Sequence, residues 1–248
     1  MSMAGGPAVS PYRGRITAGL FAHLFKAVFK QHHRDMLPLL RRLVPADAVV
    51  LDVGAHAGQY AKLFARLARL GRVYAIEPQS YARRILRTAI RLNRLHNVEI
   101  LPLALGSAPG TATLTIPVKR SGSYGFGLAH LGPQTRAGAA ETETVEVTTL
   151  DALAARLSLP RLDFIKADIE GWEQAMVEGG RQTLMRFRPA LLIEFNEQHL
   201  MRGGGSVASL WRMLSELGYR AYSGDPGMAP LDRPREGDVL WLAHERAL

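Results

Sequence analysis

Apolar residues are spaced in one way near the start of the chain and in another further on. Between residues 15 and 45, Leu20, Phe21, Leu24, Phe25, Val28 and Phe29 recur at helical spacing, separated by Lys26, Lys30, His32, His33 and Arg34. This predicts one or two amphipathic helices, with Pro38 as the break. From Ala48 onward, short apolar runs alternate with helical ones, the pattern of βαβ units on a parallel sheet. Strands are expected at Val49–Val53, Val73–Glu77, Val98–Leu103, Phe164–Ala167 and Leu191–Phe195. Helices are expected at Gln59–Leu70, Tyr81–Arg94, Gln174–Phe187 and Ser206–Leu217. Thr111–Pro117 and Thr142–Thr149 alternate at period two and read as a hairpin inserted after the third strand, joined through the Gly-rich stretch Ser121–Ala140. The chain closes with Tyr219–Tyr222, a Pro/Gly-rich loop and Val239–Ala243. No helix fits between these last strands, so they must pair antiparallel.

This pattern divides the 248 residues into a disordered leader over 1–14, a helical extension over 15–45 and an α/β domain over 46–248, with the hairpin insertion at about 110–149. No apolar run reaches the length of a spanning helix and no signal-peptide core precedes a cleavage site, so a cytoplasmic location is expected. With no cysteine, disulfides, thiolate metal sites and a cysteine nucleophile are excluded, which leaves carboxylates, histidines or a cofactor. The net charge of +9 is compatible with anionic partners, although much of it is arginine distributed along predicted helices as a solvated face. For residues 15–45 two readings stand: a basic, aromatic-bearing surface that makes peripheral contact with a membrane or partner, or a helix packed over the sheet edge or in a dimer seam.

The candidate chemistry begins at the turn after the first strand, Asp52-Val53-Gly54-Ala55-His56-Ala57-Gly58-Gln59-Tyr60, where Gly54 and Gly58 would let a ligand approach the backbone at a helix N-terminus. Glu77 follows Gly58 by nineteen residues, at the end of the second strand, where a carboxylate accepts the hydroxyls of an adenosine ribose. A dinucleotide would need G-x-G-x-x-G against its pyrophosphate, and here His56 lies within a Gly-x-x-x-Gly spacing. S-adenosyl-L-methionine has no phosphate, and its zwitterionic end could be held by loop amides with Asp52 or Asp168. The terminal antiparallel pair points the same way.

These segments and several later ones resemble the FkbM-type methyltransferases, which O-methylate hydroxyls of sugars, lipids and polyketides. The matching residues are Leu51 to Ala55 with Gly58 and Tyr60, Gly71 to Pro78, Leu92-Asn93 with Asn97-Val98, Ala104-Leu105-Gly106 and Thr149-Leu150-Asp151. Most distinctive are Asp163-Phe164-Ile165-Lys166-Ala167-Asp168-Ile169-Glu170-Gly171 with Glu173, and Arg188-Pro189 followed by Glu194. The departures are His56-Ala57, Ser80 and Gly125-Phe126-Gly127-Leu128. The resemblance implies a doubly wound, mostly parallel, seven-stranded Rossmann-like sheet with an antiparallel C-terminal strand. It also implies a cofactor site that includes Asp52, Gly54, Ala55, His56, Gly58, Tyr60, Glu77, Pro78, Ala104, Leu105 and Asp168.

An alcohol acceptor must lose its proton during or after methyl transfer, which calls for a general base or a metal. Asp168, Glu170 and Glu194 fall at or just after the ends of the fourth and fifth strands, where ligands of doubly wound sheets bind. They are the catalytic candidates: Asp168 to position the sulfonium end or the acceptor, and Glu170 and Glu194 to bind or deprotonate it. Helix capping is the alternative for Glu170. His199 could act as a base or join a divalent-ion site, but no compact ligand spacing exists and no metal is expected. Lys166 is read as snorkelling or pairing with a nearby carboxylate, with a place beside the cofactor as the alternative, and His32-His33 as solvated. The expected partner is a small-molecule, glycan or lipid hydroxyl. The rivals are an RNA ribose methyltransferase and a non-catalytic binder of S-adenosylmethionine. Asp168-Ile169-Glu170-Gly171 disfavours stacked bases, which need an Asn/Asp-Pro-Pro-aromatic loop.

Overall fold

A computed structural model of the chain describes residues 18–117, 130–131 and 140–245. The leader, most of the Ser121–Ala140 bridge and Gly125-Phe126-Gly127-Leu128 lie outside the described residues. The elements run α1 (Ala18–Phe29), α2 (Leu37–Leu43), β1 (Val49–Val53), α3 (Gln59–Leu67), β2 (Arg72–Ile76), α4 (Ser80–Leu92), β3 (Val98–Leu101) and β4 (Leu103–Leu105). Then come β5 (Gly110–Pro117), β6 (His130–Leu131), β7 (Ala140–Thr148), α5 (Leu150–Arg156), β8 (Phe164–Ala167), α6 (Glu173–Glu178) and α7 (Arg181–Phe187). The chain continues through β9 (Ala190–Phe195), α8 (Glu197–Arg202), α9 (Val207–Glu216), β10 (Tyr219–Ser223), β11 (Pro230–Leu231) and β12 (Gly237–Ala243).

The main sheet has the order β11-β10-β12-β9-β8-β1-β2-β3. Strands β3, β2, β1, β8 and β9 are parallel, and β12 enters antiparallel between β9 and β10. The expected mostly parallel Rossmann-like sheet with an antiparallel C-terminal strand is therefore present, widened to eight strands by the two-residue β11. The strand order reverses between β1 and β8, so the crevice characteristic of doubly wound sheets must open at the carboxyl ends of these two strands. Both faces of the sheet are buried, which is why β1, β8 and most of β9 are apolar without alternation. Helices α5, α6, α7 and α9 cover one face around Leu153, Met176, Leu184 and Leu210, and α2 and α3 cover the other around Leu39, Leu40 and Phe64.

The predicted hairpin exists as β5 paired antiparallel with β7, from Gly110 opposite Val147 to Pro117 opposite Ala140. Three departures from the expected elements have a clear physical cause. The third strand splits at Pro102, which cannot donate to a ladder, and β4 beyond it pairs in parallel with β7 to make a second, four-stranded sheet. The helix expected over Gln174–Phe187 breaks at Gly179-Gly180, where a Cβ on Gly179 would lie 2.2 Å from the Gly106 carbonyl oxygen. Pro38 does not break the N-terminal helices. It sits in the first turn of α2, where a missing N–H costs nothing, and the break falls between Phe29 and Arg34.

Candidate active site

A cleft of about 320 Å³ opens at the carboxyl ends of β1, β2 and β8, at the reversal of strand order. Its walls include Asp52, Gly54, Ala55, His56, Tyr60, Glu77, Pro78, Ala104, Leu105, Asp168 and Glu170, and also His33, Leu114, Lys166 and Trp172. Gly58 and Glu194 do not line it.

The loop after β1 is built against its neighbours in the fold. Gly54 has φ +78°, and a Cβ there would stand 2.0 Å from the Asp168 carbonyl oxygen. Glycine at this position therefore lets the β1 and β8 loops touch. Gly58, φ +83°, precedes α3, and a Cβ would meet only the end of the Leu86 side chain at 2.5 Å. The amides of Gly54 and Ala55 both donate to the Ile76 carbonyl, and the amide of His56 donates to Glu77 Oε2 at 2.8 Å. These amides are satisfied within the protein, so they are not the free donors that the glycine spacing suggested.

Glu77 is 6 % exposed, and its other oxygen accepts from the Gln79 amide at 2.8 Å. Burial pushes its pKa up to about 7 against the pull of these two amides and Arg83. Asp52, 1 % exposed, has neither carboxylate oxygen in a hydrogen bond of ordinary geometry. Burial raises it to about 6, while Lys166 and the Ala61 amide oppose the shift. A buried, unsatisfied carboxylate in a cleft wall suits a cationic ligand group. His56, in the left-handed region at φ 50°, is lowered to about 4 by burial.

At the other end of the cleft, Lys166 donates to Asp168 at 2.9 Å, as expected, and its ammonium lies 5.1 Å from the Tyr60 ring centroid. Burial would depress Lys166, but Asp168 and Asp52 outweigh it and the pKa is raised. Asp168 is held low despite burial by the Lys166 ammonium. Glu170 Oε2 lies 3.1 Å from His199 Nδ1 and 3.6 Å from Arg202, and Glu194 Oε2 lies 3.9 Å from the same histidine nitrogen. Burial, reinforced by Asp168, raises both glutamates to about 7. The three catalytic candidates and His199 thus come together, although Glu194 does not line the cleft.

Glu170 does not cap a helix. Nor does any side chain cap α6: the buried carboxylate of Glu173, its first residue, turns back to accept from the loop amides of Ile169 at 2.8 Å and Gly171 at 3.0 Å. Glu173 belongs to the family motif with no role legible from its position in the sequence, yet the loop shape depends on it. His33 is exposed at the cleft mouth, but it also stacks on Tyr60 with centroids 4.6 Å apart. Nothing local announced this contact, because His33 and Tyr60 meet only when α3 packs beside the turn before α2.

A family model described as the methyltransferase FkbM domain matches residues 52–221, more than half of the chain. The chain belongs to the FkbM methyltransferase family. It is a methyltransferase. The protein named 2-O-methyltransferase NoeI, from Sinorhizobium fredii, is 24% identical over 216 residues, covering 84% of this chain and 83% of that one. The methyltransferase FkbM structure from Methylobacillus flagellatus aligns with a TM-score of 0.50 at 17% identity, covering 80% of this chain and 44% of that one. This chain thus spans under half the length of that protein. The Bacillus cereus O-methyltransferase, solved in complex with SAH, aligns with a TM-score of 0.50 at 15% identity over 92% of each chain. At these identities the two structures bear on the fold.

Several FkbM motif residues hold the scaffold together. Asp163 accepts from the Val49 amide at the start of β1, and Asp151 accepts from the Thr183 amide at the start of α7. Arg188 binds the carbonyls of Leu217 and Gly218 beyond α9, and Asn97 binds those of Ala65 and Ala68 at the end of α3. Each satisfies backbone groups that a helix or strand terminus leaves unpaired. The charged motif residues that reach the cleft are Asp52, Glu77, Lys166, Asp168 and Glu170.

Proposed function

We propose that the chain is an S-adenosyl-L-methionine-dependent O-methyltransferase acting on a hydroxyl of a sugar, glycolipid or polyketide-type small molecule. The observation that carries this reading is one continuous cleft with a ribose-type acceptor, Glu77, at one end and the Asp168/Glu170 carboxylates at the other. The relative named 2-O-methyltransferase and the neighbour solved with SAH support the oxygen acceptor and the cofactor class.

The cofactor would supply a methyl group already activated on a sulfonium. Glu77 would take the ribose hydroxyls, with Ala104, Leu105 and Pro78 as walls. Asp52 would face the cationic part of the methionine end, and Lys166 suits its carboxylate. The acceptor hydroxyl would lie beside Asp168 and Glu170. Glu170, whose pKa burial raises to about 7, would take the proton of the acceptor hydroxyl, which would accept the methyl group the cofactor supplies. Glu194 and His199, behind Glu170, tune its charge. The remaining work is alignment of the acceptor and exclusion of water.

The test pairs calorimetry with transfer of labelled methyl to glycan, lipid and small-metabolite fractions. The parent should bind SAH. Glu77→Gln should weaken binding about 10–100-fold, the worth of one charge-assisted hydrogen bond. Asp168→Ala should retain the fold and lose transfer to a single acceptor species. Failure of the parent to bind SAH or S-adenosylmethionine would end this reading.

A further inference from the structure

Helix α1 is fastened firmly to the body of the protein, yet it leaves its most apolar stripe outside. Ala27 packs with Tyr81, Ile85 and Ala89 of α4. The Asn93 side chain donates to the Val28 carbonyl, and the buried Lys62 ammonium reaches the Ala27 carbonyl at 2.5 Å and the Lys30 carbonyl at 2.8 Å. A buried lysine at these carbonyls closes the C-terminal end of α1, so its orientation is set. On the other side Phe21, Phe25 and Phe29 are 63%, 58% and 71% exposed, and the last two rings lie 5.1 Å apart. At a spacing of four residues they form one row about 12 Å long.

The charged side chains that α1 and α4 themselves carry have a single sign. No acidic residue occurs before Asp35, while Lys26 and Lys30 flank the phenylalanines. Helix α4, on which α1 packs, also has no acidic residue and exposes Arg84, Arg87 and Arg91. An apolar aromatic row with an acid-free cationic fringe matches an anionic bilayer surface, where rings enter the headgroup–acyl boundary and cations meet lipid phosphates. No helix among the described residues is long and apolar enough to cross a membrane, so the contact would be peripheral. We propose that the outer face of α1, with the arginines of α4, is a docking surface for an anionic lipid bilayer. The proposal goes beyond the methyl-transfer reading and does not depend on which acceptor is used.

The full chain is sedimented with vesicles of phosphatidylcholine alone or with roughly one-third phosphatidylglycerol. The parent should pellet with the anionic vesicles, be released by salt, and stay in solution with the neutral ones. The Phe21→Ser/Phe25→Ser/Phe29→Ser variant should bind at least about tenfold more weakly, since three aromatic side chains no longer leave water. The Arg84→Gln/Arg87→Gln/Arg91→Gln variant should lose its response to phosphatidylglycerol. Both sets of positions are exposed, and circular dichroism and SAH binding should match the parent. The proposal is overturned if the parent never pellets or if the phenylalanine variant pellets like the parent. It is equally overturned if sedimentation velocity shows a dimer that the phenylalanine variant dissolves without any vesicle binding, since a second copy then covers the row.

Discussion

Replacing Lys166 by methionine removes the cation that stands between the buried carboxyl of Asp52 and the half-exposed carboxyl of Asp168. Lys166 faces Asp52 across the β1–β8 ladder, bonds Asp168 at 2.9 Å and lies against the Tyr60 ring. Methionine retains the stem and its packing, so the loss is electrostatic. Removing one partner of a buried pair typically costs about 3–5 kcal/mol. The Asp168 side chain is 43% exposed and can draw on water, which lowers the expected cost to roughly 2–3 kcal/mol. For a chain of this size that is a fall of about 5–10 °C in Tm. Urea unfolding at several pH values tests the cause. Without the ammonium, Asp52 and Asp168 are more easily protonated, so the deficit should be largest at pH 8 and shrink toward pH 5 as both carboxyls become neutral. Adding Asp168→Asn to Lys166→Met should restore at least about 1 kcal/mol, because one orphaned charge is gone. A Lys166→Met protein as stable as the parent at pH 8, or one whose deficit does not vary with pH, would refute the reasoning.

Two further outcomes follow from the same geometry. Gly54→Ala should destabilise far more than Gly58→Ala and abolish SAH binding. Each incurs the positive-φ penalty of about 1–2 kcal/mol, but only at Gly54 must a neighbouring backbone, that of Asp168, move aside. Equal urea midpoints for the two variants would contradict this. The pKa values of Glu77, Glu170, Glu173 and Glu194 are raised to about 7 by burial, so the native state holds protons there that the unfolded chain gives up nearer pH 4.5. Such groups weaken the fold in full above their native pKa near 7, and the penalty fades progressively as pH falls through that value toward the unfolded pKa near 4.5. Tm should therefore rise as pH falls from about 8.5 to about 6.5, and His56, lowered to about 4, should oppose any gain at lower pH as unfolded histidine takes up protons. A Tm that is flat or falling over the upper window would show that these carboxyls are not raised.

Much of the scaffold was legible because its signals are local. The apolar runs of β1, β8 and β9 and the period-two strands β5 and β7 can be read from neighbouring residues alone. Where the reading failed, the cause was also specific. Pro102 was too small a mark to split a strand, although its missing N–H does so. Gly179-Gly180 was passed over inside a helical pattern, because the Gly106 carbonyl that requires glycine there comes from a distant part of the chain. The short helices α5 and α8 lack the length for a clear period, and their caps, Thr149 and Asn196, went unread.

The sequence by itself determined the fold class, the family and most of the residues that reach the cleft, since strand order and motif spacing follow from patterns carried along the chain. Only the tertiary structure decided what those residues do to one another. It assigned Gly54 to a contact with Asp168, tied the loop amides to Ile76 and Glu77, and turned the Glu173 carboxylate onto the Ile169 and Gly171 amides. It also brought His199 to the two glutamates and turned three phenylalanines of α1 outward. The physical reason is that charge, burial and steric contact act across space between residues far apart in the chain, and local spacing carries no measure of those distances.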